Sequence, residues 1–261
     1  MRSPLVLIAA AVCPSLASAA VINIDFTAGT APQTYTGLAA AADPAGSSAY
    51  WNAIARDGTK DRIAHVPLHD STGTLSSVSL ALGISGSHAS VNGDLERSGG
   101  YDPLMSDYVF LNSGSSTVVT TSTGTLSGLM AGMAYELYFY GQGDHFTGNI
   151  FAGQNSLFTV GGLSKQTSWD GIHGGNGVLT EGQEYVKFSV LADAQGKIYF
   201  EWANVVAGVN VDVDADGSAS RYAGFNALQI AQNPNAVPEP SSTLLASLTA
   251  SLALCRRRRT T

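Results

Sequence analysis

Residues 75–84 alternate strictly, with Val78, Leu80 and Leu82 at every second position against Ser77, Ser79 and Ala81. A period of two sends successive side chains to opposite faces of an extended chain, so this run predicts a strand with one face toward a core. The same period recurs along the chain. Ile22, Ile24 and Phe26 alternate with Asn23 and Asp25 and predict a half-buried opening strand. Val186, Phe188 and Val190 should point inward from a second run, and Ile198, Phe200 and Trp202 from a third, joined to it by a turn over 193–196. No part of the body shows the 3.6-residue period of an amphipathic helix, and there is no internal repeat. About ten short strands at intervals of ten to twenty residues predict an all-β fold, a single antiparallel β-sandwich of the jelly-roll kind.

The remaining segments fit that frame. Strands are expected over 50–54, 63–68, 108–111, 118–121, 134–140, 151–160 and 222–231, with Asp70-Ser71-Thr72-Gly73 as a turn and 126–129 leading into the next strand. The run Tyr135-Glu136-Leu137-Tyr138-Phe139-Tyr140 is aromatic on both faces, which predicts a central strand covered on one side by the core and partly on the other. Residues 85–103 are polar and irregular; a loop of this length in a compact domain is usually a binding loop or a lid.

Both chain ends carry targeting chemistry and are set apart from the fold. Met1-Arg2-Ser3 is a positive start, 5–16 is apolar, and Ala17-Ser18-Ala19 is a small-residue cleavage site, so 1–19 reads as a secretory signal helix. At the other end, 234–261 holds Pro238-Glu239-Pro240, an uncharged stretch from 241 to 255, and Arg256, Arg257, Arg258 and Arg259. The two prolines fix φ and remove donors on either side of Glu239, which keeps the tripeptide out of sheet and helix. The apolar stretch predicts a short helix of roughly 22 Å, against the ~30 Å of a membrane core. These three ordered parts resemble the PEP-CTERM sorting signal of exported bacterial proteins. The resemblance implies transient inner-membrane association through the C-terminal helix, cleavage near Pro-Glu-Pro by an exosortase-type membrane protease after passage through the export machinery, and delivery to the cell surface or extracellular matrix of a Gram-negative-type bacterium. The body, 20–233, resembles galactose-binding-like jelly rolls in the order of its pieces, from the Ile-Asn-Ile-Asp-Phe strand through Tyr50-Trp51-Asn52 to the closing Gly224-Phe225-Asn226-Ala227-Leu228-Gln229-Ile230.

Removing the two ends changes the chemistry that remains. Cys13 lies in the leader and Cys255 in the tail, so the body has no thiol for disulfides, zinc ribbons or nucleophilic catalysis. Without Arg2 and the four tail arginines, 8 of the 13 basic residues remain; without Glu239, 19 of the 20 acids do, so the body carries a net charge of −11 against −7 for the whole chain. Such a surface repels nucleic acid.

Two constellations carry candidate sites. Trp169-Asp170-Gly171-Ile172-His173-Gly174-Gly175-Asn176 and Gly141-Gln142-Gly143-Asp144-His145 place an aromatic ring among Asp, Asn and His. Sugars present apolar CH faces and hydroxyl edges, so Trp169, Asp170, His173, Asn176, Asp144 and His145 are the expected ligand-binding residues if both loops leave the same end of the sandwich. The alternative is that Trp169 caps the core and the others form turns. Asp212, Asp214 and Asp216, followed by Gly217, supply the carboxylates of a calcium loop, but Ala223 stands where a bidentate Glu belongs; the choice is between a Ca²⁺ site and a solvated hairpin tip. There is no G-x-S-x-G elbow, no H-E-x-x-H and no phosphate loop. The sequence therefore predicts a non-catalytic surface or matrix protein that either binds carbohydrate, such as extracellular polysaccharide, or simply builds the extracellular layer, with a secreted polysaccharide-acting hydrolase or lyase as the alternative, requiring two carboxylates facing one groove.

Overall fold

The computed structural model describes residues 21–28, 35, 37, 39–41, 49–58, 60–89, 102–143, 154–169, 178–212 and 220–233. The leader, with Ala17 and Ala19, and the tail, with Pro238, Glu239, Pro240, Arg256, Arg257, Arg258 and Arg259, lie outside them. Among the described residues no helix is long and apolar enough to cross a membrane.

Among the described residues there are fourteen strands and one helical turn. In chain order they are β1 (Val21–Thr27), β2 (Trp51–Ala55), β3 (Arg62–His69), β4 (Leu75–Gly83), β5 (Gly86–Ala89), α1 (Asp102–Met105), β6 (Asp107–Asn112), β7 (Thr121–Ser127), β8 (Ala134–Tyr140), β9 (Ser156–Val160), β10 (Leu163–Gln166), β11 (Tyr185–Leu191), β12 (Ile198–Asn204), β13 (Tyr222–Phe225) and β14 (Ala227–Gln232). One sheet runs β11-β8-β14-β1-β2, the facing sheet β10-β9-β12-β7-β4-β3, and a small sheet β13-β6-β5 packs beside them. All pairings between strands are antiparallel except β1 with β2. Within this frame β1-β14-β8-β11 and β7-β12-β9-β10 are the two four-stranded faces of a jelly roll: first and last strands are neighbours, and the chain crosses between sheets at β7 to β8, β8 to β9, β10 to β11 and β11 to β12.

The alternation in the sequence is what fills the space between the sheets. Val78, Leu80, Leu82, Val186, Phe188, Ile198, Phe200 and Trp202 are all buried in the central cluster, with Val190 packed at its edge. Phe139 stands at the middle, stacked on Phe158 at 4.9 Å and edge-on to Phe188 and Phe200 at 5.6 and 5.1 Å. Each ring so enclosed contributes about 1.5–3 kcal/mol of burial. Gly124 on β7 faces Phe200, whose ring would lie 2.0 Å from any added Cβ, so this strand, threonine and serine apart from Leu126, needs glycine there.

Several segments differ from the sequence expectation. β1 is not half-buried: all seven of its residues are enclosed. The reason is that the described residues of the connection between the parallel β1 and β2, Tyr35 and 39–41, lie against the outer face of their sheet. Tyr35 packs edge-on against Trp51 at 5.0 Å, Ala40 N donates to Tyr140 Oη at 2.7 Å, and Ala41 N donates to Gln229 Oε1 at 3.0 Å. A second apolar cluster forms beneath this cover from Tyr35, Trp51, Leu104, Met105, Tyr138 and Tyr140. The 85–103 stretch is partly regular, since it contains β5 and leads into α1; residues 90–101 lie outside the described set. Residues 118–120 lie outside any strand, and β7 begins at Thr121. The expected closing strand over 222–231 is broken at Asn226 into β13 and β14, which belong to different sheets.

Candidate functional site

One end of the sandwich gathers the long connections. Tight turns at the other end join β3 to β4, β7 to β8, β9 to β10 and β11 to β12, and Gly73, Gly128, Gly161 and Gly196 in those turns have positive φ. The strand ends that flank residues 29–34, 90–101, 144–153, 170–177 and 213–219 all lie at the opposite end, because antiparallel register brings Asp25, Ala227, Tyr140 and Tyr185 into one row of the first sheet and Ser156 against Asn204 in the second.

Buried amides hold that end together. Asn226 sits where β13 passes into β14 and is fully enclosed. Its Nδ2 donates to Met105 O and Asp107 O at 3.1 and 3.2 Å, its Oδ1 accepts from Gln142 N at 2.8 Å, and its carbonyl accepts from Phe26 N at 2.8 Å. One residue thus ties β1 through its carbonyl, and α1, β6 and the exit of β8 through its side chain. Gln142 continues the network by donating from Nε2 to Ser168 O at 3.0 Å and to Gln183 O at 3.1 Å. Thr167 Oγ1 donates to Gly141 O, and Trp169 N donates to Asn155 Oδ1 at 3.0 Å. Gly224 admits the close passage of this strand exit, since a Cβ there would stand 2.5 Å from Gln142 O.

These bonds place the roots of the 141–145 and 169–176 loops side by side. Trp169 is half-buried at the rim, and its root is fixed by Asn155. Asp170, His173, Asn176, Asp144 and His145 lie outside the described residues. Asp212 is exposed near the same end, while Asp214 and Asp216 are outside the described residues. Among the described residues there is no group of three or more His, Cys, Asp or Glu side chains arranged to hold a metal.

Sequence reasoning passed over a buried acid pair here. Asp25, on the outer face of β1, is 3% exposed, and its Oδ1 has no hydrogen-bond partner. Burial first, and the neighbouring Asp107 carboxylate second, push its pKa well above the ordinary carboxylate range. Asp107, half-buried at the start of β6, accepts from Ala28 N at 3.2 Å through Oδ2; burial outweighs that bond and raises its pKa to about 6. Burial, then the charge of Asp25, also raises the Tyr35 hydroxyl. The alternation in 21–26 assigned Asp25 to a solvated face, and no local signal marks the cover that encloses it. Asn226 and Gln142 were equally hidden, since an amide in a turn-rich segment reads as a turn former.

The fold and this end define an all-β jelly-roll sandwich with a polar, loop-bearing rim. No family model matches the chain, and no curated protein matches it in sequence. Among solved structures it is similar to the plant receptor-like kinase ANX2, with a TM-score of 0.36 and 12% identity over 59% of this chain and 41% of that one. It is also similar to the CBM22-1–GH10 modules of endo-1,4-beta-D-xylanase 10B from Clostridium thermocellum complexed with xylohexaose, with a TM-score of 0.21 and 11% identity over 65% of this chain and 24% of that one. The chain spans less than half the length of either.

Proposed function

We propose that this is an exported, non-catalytic carbohydrate-binding protein, carried to the cell surface or extracellular matrix by its C-terminal sorting signal. The observation that carries the binding half of this reading is the pair of Gln142 bonds to Ser168 and Gln183, which brings the roots of two loops rich in ring, amide and acid groups to one rim. A half-buried indole, followed in sequence by Asp170, His173 and Asn176, offers a stacking face and hydrogen-bonding groups to a pyranose. The delivery half rests on the ordered Pro238-Glu239-Pro240, apolar stretch and Arg256, Arg257, Arg258 and Arg259. The acid pair at this end gives the cleavage reading no support: Asp25 is enclosed, and a general acid or nucleophile must face the glycosidic bond.

Binding of the purified protein to a glycan array and to the producing cell's own exopolysaccharide tests the proposal. Trp169→Ala is expected to weaken binding at least about tenfold, which is the loss of one stacked ring at roughly 1.4 kcal/mol. Absence of binding to every glycan and to the exopolysaccharide, or binding untouched in W169A, would refute it.

A further inference from the structure

The end of the sandwich opposite the loop-bearing rim carries chemistry of its own. The chain enters the described body there at Val21, whose carbonyl accepts from Ser71 N at 2.8 Å, and leaves it there at Asn233, whose N donates to Ala134 O at 3.0 Å. Asn233, Ala134 and Leu191 thus fall in one row across β14, β8 and β11, at about 4.8 Å per strand. Met130, in the β7–β8 turn, reaches the same exit, because Gln232 Nε2 donates to its Sδ at 3.6 Å.

Of the nine large apolar side chains exposed among the described residues, five stand at this end: Tyr50, Leu75, Met130, Leu163 and Leu191. Leu75 and Met130 are 61% and 59% exposed. Scattered exposed apolar residues are ordinary, but their gathering at one end marks a surface that meets something other than water. Charge is sparse there. The turns over 70–75, 128–133, 161–163 and 192–197 hold only Asp70, Asp193 and Lys197. Both carboxylates fold back onto their own turns: Asp70 Oδ1 accepts from Thr72 N and Thr74 N at 2.9 and 3.0 Å, and Asp193 Oδ1 accepts from Gln195 N and Lys197 N at 2.8 Å. Behind them Glu136 is paired with Lys187 at 2.9 Å. A nearly neutral, aliphatic end on an acidic body can approach anionic lipid with little repulsion.

The length of chain beyond Asn233 says what lies opposite. Seven residues, 234–240, separate it from the uncharged stretch 241–255, and seven residues span at most about 25 Å. With 241–255 in a bilayer, this end is therefore confined to the lipid surface. So short a tether raises the local concentration to the order of millimolar, so a contact too weak to hold a free body is made while the tail is attached.

We propose that the turn-bearing end is a lipid-docking face, with Tyr50, Leu75, Met130, Leu163 and Leu191 resting in the headgroup region. This rests on the reading of 241–255 as a membrane-entering segment. The seven residues of β8 put the rim roughly 20 Å farther out, so a docked body turns Trp169 away from the membrane. Cutting near Pro238-Glu239-Pro240 removes the tether and releases the face.

The test uses the full chain, with Cys13 and Cys255 replaced by serine, in vesicles of phosphatidylethanolamine and phosphatidylglycerol carrying a headgroup quencher that acts on contact. A fluorophore is placed by Ala131→Cys, exposed beside Met130, or by Asp61→Cys, exposed at the opposite end. Flotation reports whether the tail enters the bilayer. The Ala131 label is expected to be quenched and the Asp61 label not, and Leu75→Thr, Met130→Thr and Leu191→Thr together should abolish the Ala131 quenching while the chain still floats. A chain that floats with both labels quenched alike, or with Ala131 quenching intact in the triple variant, overturns the docking face and leaves the tail reading standing. A chain that does not float overturns both. An Ala131 label shielded by a concentration-dependent dimer without lipid assigns the end to a second copy and overturns the lipid face.

Discussion

Glu136 shows how one residue on the outer face of the first sheet acquires a measurable role. Burial alone would raise its pKa, but hydrogen bonds from Lys187, Tyr138 and Asn233 outweigh burial and lower it. The Lys187 ammonium lies 2.9 Å from Glu136 Oε1, and Tyr138 Oη donates to Oε2 at 2.9 Å. A carboxyl whose folded pKa lies below its unfolded value stabilises the fold above the unfolded value, about 4.3 for glutamate, and that stability is lost as pH falls through the folded pKa. Glu136→Gln is therefore expected to cost about 0.5–1.5 kcal/mol at pH 7 and to converge with the wild type below about pH 4, read from urea midpoints across pH. Equal differences at pH 7 and pH 3 would contradict this. At this scale the sequence was legible where a neighbour in the chain decides the outcome: Val186, Phe188, Ile198, Phe200 and Trp202 face inward because alternation leaves them no other face. It was illegible at Asn23 and Asp25, whose enclosure depends on segments far along the chain.

Between elements, glycine decides how closely strands can pass. β13 runs against the exit of β8 at Gly224, where an added Cβ would meet Gln142 O at 2.5 Å, Gln142 C at 2.6 Å and Gly143 N at 2.8 Å. These are backbone atoms held by Asn226 Oδ1, so they cannot swing aside as a side-chain tip would. Gly224→Ala should cost about 1–3 kcal/mol, the usual range for forced overpacking. Gly114→Ala, at a turn where nothing lies within 4 Å but φ is +75, should cost about 1–2 kcal/mol through backbone strain alone. Chemical denaturation of the pair separates the two causes, because only G224A should also disturb the Trp169 rim and its fluorescence. The element list was readable for strands with an apolar alternation, such as β4, β11 and β12. It failed for β7, whose TSTGTLS carries few apolar residues, and for β10, whose LSKQ is too short to show a period. The break at Asn226 could not be seen because both halves alternate; the strand changes sheet there through a side chain that bonds to α1 and β6.

On the scale of the whole molecule, the first sheet is a partition with apolar material on both sides. β8 sends Tyr135, Leu137 and Phe139 into the space between the sheets and Tyr138 and Tyr140 into the cluster under the β1–β2 connection. A sandwich with one solvated face would unfold as a single core, whereas two cores built on separate elements could melt separately. Here β8 and β14 each contribute to both, so neither cluster can be lost while the other keeps its strands. Tyr140 joins the layers: it is buried, its oxygen accepts from Ala40 N, and it donates to Gln229 Oε1 at 2.5 Å. Tyr140→Phe leaves the half-buried Ala40 N without its acceptor, while Gln229 Oε1 keeps the bond from Ala41 N, and is expected to cost about 1–3 kcal/mol. If the layers form one cooperative unit, Y140F shifts far-ultraviolet circular dichroism and tryptophan fluorescence to the same lower urea midpoint, because Trp51 under the cover and Trp202 in the central core must report one event. An early fluorescence transition in Y140F, with strand signal preserved, would mean that the covered face opens on its own and that the cover is a separately stable layer.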